Sequence, residues 1–393
     1  MTRAGTEWAS RAAAPPRGEG ERLAQALDRR TAPGRLYRQE DGKVRCVACG
    51  HRCLLAPGRR GVCKVRFHAE GGLRVPFGYV AGVACDPIEK KPFFHGLPGS
   101  AALTFGMLGC DFHCGYCQNW ITSQSLRDEL ASTTFTPVTP DQLVAAARRA
   151  DARWVVSSYN EPLITAEWAE AVFAAARPAG FHCAFVSNGN ATPEVLDFLQ
   201  PWLTAYKVDL KGFNDRRYRS LGGTLAHVTE TIRQLRARGI WLEVVTLLVP
   251  GFNDDEAELR DLTRFLAGVD RNIPWHVTAF HPDYRMTDPN ATAARDLVRA
   301  AEIGAAAGLH FVYAGNLPGR VDGWEDTRCP GCGTTLIRRL GFRVLENRLG
   351  STGACPACGH MVPGVWAEAT TGADPRLARA AAGGTGSSEQ VSS

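Results

Sequence analysis

Between Ala101 and Gly315 the chain alternates short apolar, β-prone runs with longer amphipathic stretches, at roughly the thirty-residue spacing of βα units. The pattern predicts strands at 102–107, 154–158, 182–187, 205–210, 241–249, 275–280 and 310–314, with helices between them. Thr192-Pro193-Glu194 supplies an N-cap, a first-turn proline and an early acid, and Asn253-Asp254-Asp255 and Asp288-Pro289 offer similar starts. Periodicity alone leaves a closed barrel and a doubly wound sheet both open. The polar residues decide for a barrel, because the apolar runs end in polar clusters: 110–117, Tyr159-Asn160-Glu161-Pro162, Ser187-Asn188-Gly189-Asn190, Asp209-Leu210-Lys211, Pro250-Gly251-Phe252-Asn253-Asp254 and His281-Pro282-Asp283. In a βα barrel such strand ends converge on one mouth, where the chemistry sits.

Composition changes this picture little. Of 393 residues 45% are hydrophobic, enough to fill one large α/β domain with small appendages. No run is long enough for a spanning helix, and the start lacks a compact apolar segment, so neither membrane insertion nor export is expected. A net charge of +5 with dispersed arginines gives no footprint for nucleic acid. Residues 1–34 and 369–393, rich in Ala, Gly, Arg, Pro and Ser, are expected to be disordered.

The thirteen cysteines change it more. Eleven cluster in three groups, the signature of metal in a reducing cytoplasm rather than of disulfides. Cys85 and Cys183 fall outside the groups and read as buried small hydrophobes. In the central group, Cys110, Cys114 and Cys117 follow an apolar run directly. Three thiolates leave one iron of a four-iron cluster without a protein ligand, as suits a site that must bind something. A zinc site completed by His113 is the other reading.

This triplet, with Asp209-Leu210-Lys211 and the other strand ends, resembles the pyruvate formate-lyase activating enzyme branch of the radical SAM superfamily. The resemblance implies a partial (β/α) barrel over 101–320 and a [4Fe-4S] cluster on Cys110, Cys114 and Cys117. It also implies an S-adenosylmethionine site bordered by Tyr116, Asn160, Glu161, Ser187, Asn188, Asp209, Lys211 and His281. Asn160-Glu161-Pro162 stands where relatives carry Gly-Gly-Glu-Pro, a departure in the backbone contacts. Acids, amides and a lysine at strand ends suit the amine, carboxylate and ribose of that cofactor. Cofactors carry the hard chemistry, so no side chain is assigned as a general base.

Two further groups flank the barrel. Cys329, Cys332, Cys355 and Cys358 form a pair of CPxC knuckles in a zinc-ribbon-like module over 321–368, with zinc expected and a single iron as the alternative. Cys46, Cys49, Cys53 and Cys63, in a Cys-rich segment over 35–100, are expected to hold structural zinc or an auxiliary cluster. Together with Val362-Pro363-Gly364-Val365-Trp366, these motifs resemble the AmmeMemoRadiSam system radical SAM proteins. That resemblance implies a protein or protein-associated substrate, AMMECR- and Memo-type partners, and an electron donor such as flavodoxin or ferredoxin. A glycyl-radical activase and a non-enzymatic zinc-binding scaffold are the alternatives.

Overall fold

A computed structural model describes residues 19–131 and 133–369. Eight strands form its central sheet in strictly sequential order: Gly82–Pro87, Ala101–Gly106, Ala152–Ser157, His182–Ser187, Ala205–Asp209, Trp241–Leu248, Trp275–Ala279 and Val312–Gly315. The first two are antiparallel, with Gly82 opposite Gly106, and the rest run parallel. A doubly wound sheet reverses its strand order at a switch point, and this one never does. The first and last strands are both edges, so the barrel is partial. All seven expected strands lie within two residues of their predicted limits.

Alternation along the strands sorts the two faces. In Trp241–Leu248, Leu242 and Val244 pack outward into a core shared with Leu259, Leu262 and Leu266 of the helix Glu256–Val269. Val245 and Leu247 point the other way and line the central cavity. Helix starts follow the caps: Thr192 Oγ1 accepts from Val195 N at 3.2 Å, and Asp255 Oδ1 from Glu258 N at 3.1 Å. Asp288-Pro289 is not a start, because the helix Ala294–Ala306 begins after Ala293, which makes no side-chain cap.

The N-terminal boundary also differs from expectation. A helix, Glu19–Asp28, and a strand, Thr31–Pro33, fall inside the stretch expected to be disordered. Pairing explains the difference: Thr31–Pro33 lies antiparallel on Gly72–Pro76, and Leu27 is buried in the main core. Residues 1–18 and 370–393 lie outside the described residues, and with them the rest of both expected tails. The Cys-rich segment is not separate from the barrel, since it supplies the edge strand Gly82–Pro87. A buried ion pair ties it down further: Arg66 Nη1 and Nη2 reach Glu167 Oε2 and Oε1 at 2.6 and 2.8 Å. Arg35 N and Leu36 N donate to the same carboxylate.

At the other end, Thr327–Arg328, Thr335–Leu340 and Arg343–Asn347 form a small antiparallel sheet. From it the buried Arg339 extends against the barrel, donating to Phe94 O at 2.8 Å with its guanidinium 4.3 Å over the Phe94 ring. Cys183 is fully buried as expected, but Cys85 is exposed, because it lies on the edge strand, where no further strand covers it.

Candidate functional site

The strand Ala101–Gly106 delivers the chain into the loop that carries the three cysteines. Gly109, at φ 92°, makes the turn, and a Cβ there would stand 3.1 Å from Cys63 O. Cys110, Cys114 and Cys117 all face one cavity of about 440 Å³. Phe112 N–H donates to Cys110 Sγ at 3.3 Å, and Cys117 Sγ lies 3.3 Å from Ser123 Oγ. Such bonds stabilise a thiolate and are among the levers that set a cluster's potential. Without a metal, burial pushes the Cys114 thiol up to about 12 and Cys110 well above its ordinary value. A bound cation reverses that preference, so the donor set fits iron.

Tyr116, Asn160, Glu161, Ser187, Asn188, Asp209 and Lys211 line the same cavity. His281 does not: its ring is exposed and faces Pro282 O at 3.3 Å, and the loop after it turns back on itself through Asp283 and Met286. Glu161 fastens two strand ends together. Its Oε1 accepts from Ser187 Oγ and Leu163 N at 2.7 and 3.1 Å, and its Oε2 accepts from Asn188 N at 2.7 Å. Burial and the neighbouring Asp111 push its carboxyl up to about 8.

Two residues at the site escaped the sequence reading. Asp111, buried between the first two cysteines, accepts from Asn188 Nδ2 at 2.7 Å and Asn190 Nδ2 at 2.9 Å, locking the cysteine loop to the His182–Ser187 strand end. Lys207 lies buried on the inner face, bonded to Asp209, which Lys211 Nζ also reaches at 3.4 Å. Burial alone would raise the Asp209 carboxyl, but the two ammonium groups hold it below the usual carboxylate range. A signal for Lys207 was present: positions 207, 209 and 211 share a face at the strand period of two.

Lower in the barrel, Glu243 accepts four donors: Phe94 N, His95 N, Trp241 Nε1 and His276 Nε2. Phe342, on the turn between the strands Thr335–Leu340 and Arg343–Asn347, also lines the cavity, so the C-terminal module forms part of its wall.

The four cysteine sulfurs of that module lie within 4.8 Å of one another, with Cys329–Cys358 at 3.6 Å and Cys332–Cys355 at 3.8 Å. A tetrahedral ion with bonds near 2.3 Å requires sulfurs about 3.8 Å apart, so this group fits a single metal ion. Hydrogen bonds from Thr334 hold the Cys332 thiol down, at about 6.

The Radical SAM superfamily model matches residues 105–263. The chain is 36% identical over 326 residues to the uncharacterized protein MJ0808 of Methanocaldococcus jannaschii, covering 82% of this chain and 96% of that one. It is 25% identical over 196 residues to the pyruvate formate-lyase-activating enzyme of Staphylococcus aureus, covering 47% of this chain and 76% of the relative. A radical SAM methyltransferase from Sphaerobacter thermophilus superposes with a TM-score of 0.44 at 16% identity, over 78% of this chain and 81% of that one.

Proposed function

The chain belongs to the radical SAM superfamily, and on that premise we propose that its substrate is a protein or a group held by a protein. It is an enzyme of SAM-dependent radical chemistry, and superfamily membership implies a [4Fe-4S] cluster and S-adenosylmethionine. When bound, these supply reductive cleavage of the sulfonium to a 5′-deoxyadenosyl radical that abstracts a hydrogen atom. We assign the cluster to Cys110, Cys114 and Cys117, and the S-adenosylmethionine contacts to the polar strand ends that share their cavity.

The chain's own part is positioning and exclusion of water. Phe112 N–H and Ser123 Oγ stabilise two of the thiolates. Asp111 and Glu161 cross-link the loop and strand ends that carry the remaining contacts. Lys207, Asp209 and Lys211 place fixed charges on the inner wall, where a zwitterionic ligand finds partners of both signs.

The substrate reading is supported by the wall that Phe342 contributes. Phe342 is 41% exposed there, an apolar edge on the cavity suited to a macromolecule. AMMECR- and Memo-type proteins are the partners we propose, with flavodoxin or ferredoxin as the electron donor, in the cytoplasm. We assign zinc to the C-terminal cysteines. A glycyl-radical activase is the second reading, favoured by the match to the staphylococcal activating enzyme. Superfamily membership sets the non-enzymatic scaffold aside.

The observation that carries the function is the meeting of three thiols and the next three polar strand ends in one cavity. Anaerobic reconstitution with iron and sulfide, followed by dithionite and S-adenosylmethionine, is expected to yield 5′-deoxyadenosine. Protein purified anaerobically with zinc, no iron and no such product would overturn the assignment. Mixing with candidate partners then separates the two substrate readings, since a glycyl radical signal on the partner marks an activase.

A further inference from the structure

The N-terminal cysteines are the strongest feature that the proposed reaction leaves unused. Cys46, Cys49 and Cys63 are buried, Cys53 is half-buried, and none is in a disulfide. Cys53 and Cys63 both flank Gly61, where a Cβ would lie 3.6 and 3.7 Å from their sulfurs. Arg52 and Lys64, each beside one of these cysteines, take φ values of 43° and 69°. Non-glycine residues in that region cost conformational energy and concentrate at functional sites.

Spacing then distinguishes what such a site takes. The C-terminal group has its four sulfurs within 4.8 Å of one another, near the spacing that one tetrahedral ion requires. Among the described residues, neither the N-terminal group nor the triplet Cys110, Cys114 and Cys117 meets that limit. A cuboidal cluster gives each thiolate its own iron and holds its sulfurs further apart than one tetrahedral ion does. In this respect the N-terminal group sits with the triplet and not with the compact C-terminal site.

We propose that Cys46, Cys49, Cys53 and Cys63 hold a second iron–sulfur cluster, closed by four protein ligands. The site is built against the first. Cys63 O packs on Gly109, His51 Nε2 lies 3.2 Å from Asp111 O, and Gly50 N donates at 2.8 Å to Asn190 O, whose side chain holds Asp111. Four protein ligands leave no iron open, so this cluster binds no substrate.

The test counts metal and is independent of S-adenosylmethionine cleavage. Full-length protein with Cys110, Cys114 and Cys117 all replaced by Ala, reconstituted anaerobically, is expected to retain about four irons and four sulfides per chain and a reduced-cluster electron paramagnetic resonance signal. Adding Cys49→Ala and Cys63→Ala is expected to remove both, with the C-terminal metal still bound as the check on folding. Wild-type protein provides a second count that needs no variant: about eight irons per chain supports the proposal, and about four overturns it. Two zincs per chain and no iron in the triple variant would also overturn it, in favour of a mononuclear site.

Discussion

Arg66 shows at the scale of single residues how tightly the N-terminal segment is tied to the barrel. Its guanidinium is 1% exposed and its partner Glu167 3%, so removing one charge strands the other. Arg66→Met is expected to destabilise the protein by about 3–5 kcal/mol, measured by denaturant unfolding; a loss below about 1 kcal/mol would contradict a buried pair. His95 and His182 hold the opposite end, donating to Pro363 O at 2.8 Å and Ala367 O at 3.0 Å. Burial pulls both imidazoles down from 6.5 to about 4. The fold keeps these rings neutral while the unfolded chain takes up protons near 6.5, so their contribution is complete above that pH and is lost as pH falls from about 6.5 to 4. Protection of the amides of residues 364–367, relative to their intrinsic exchange at each pH, is expected to fall from pH 7.5 to pH 5, and unchanged protection would contradict the clamp. That Cys110, Cys114 and Cys117 share one site, and the four C-terminal cysteines another, was legible from spacing alone. Asp111, Asn190 and His281 were not, because their placement depends on how distant loops meet.

At the scale of elements, the apolar runs located all seven anticipated strands, since buried parallel strands are short and bounded by turn residues. The eighth, Gly82–Pro87, was missed: it is an antiparallel edge strand with a mixed exposure pattern and lies outside the βα repeat. Asp288-Pro289 misled because a capping sequence does not ensure that a helix follows at once. Gly189, within the loop after His182–Ser187, sits at φ 76°, and an added Cβ would lie 2.7 Å from a Val208 methyl. Gly189→Ala is expected to cost more than about 1 kcal/mol and to weaken S-adenosylmethionine binding, because Asn188 and Asn190 on either side hold Asp111. Calorimetric titration and thermal unfolding check both effects, and a variant indistinguishable from wild type would contradict that role for the loop.

Across the whole molecule, the three cysteine groups differ in geometry. The C-terminal module has the compact spacing of a single ion, supplies Phe342 to the cavity wall, and anchors Arg339 beneath the barrel. Cys332→Ser with Cys358→Ser is expected to remove one metal per chain by elemental analysis and to expose residues 327–349 to proteolysis; retention of the metal would contradict a four-cysteine site. The central triplet, to which we assign the cluster, faces a cavity lined by fixed charges. The division of the cysteines into three groups was legible in their spacing, but the packing of all three groups against one barrel was not.

The most direct test compares wild type with Cys114→Ala, both reconstituted anaerobically with iron and sulfide, reduced, and given S-adenosylmethionine, with 5′-deoxyadenosine measured by mass spectrometry. The expected result is deoxyadenosine from the wild type and none above background from the variant. Equal yields from the two proteins, or none from an iron-loaded wild type, would contradict the assignment of Cys110, Cys114 and Cys117 as the reactive centre.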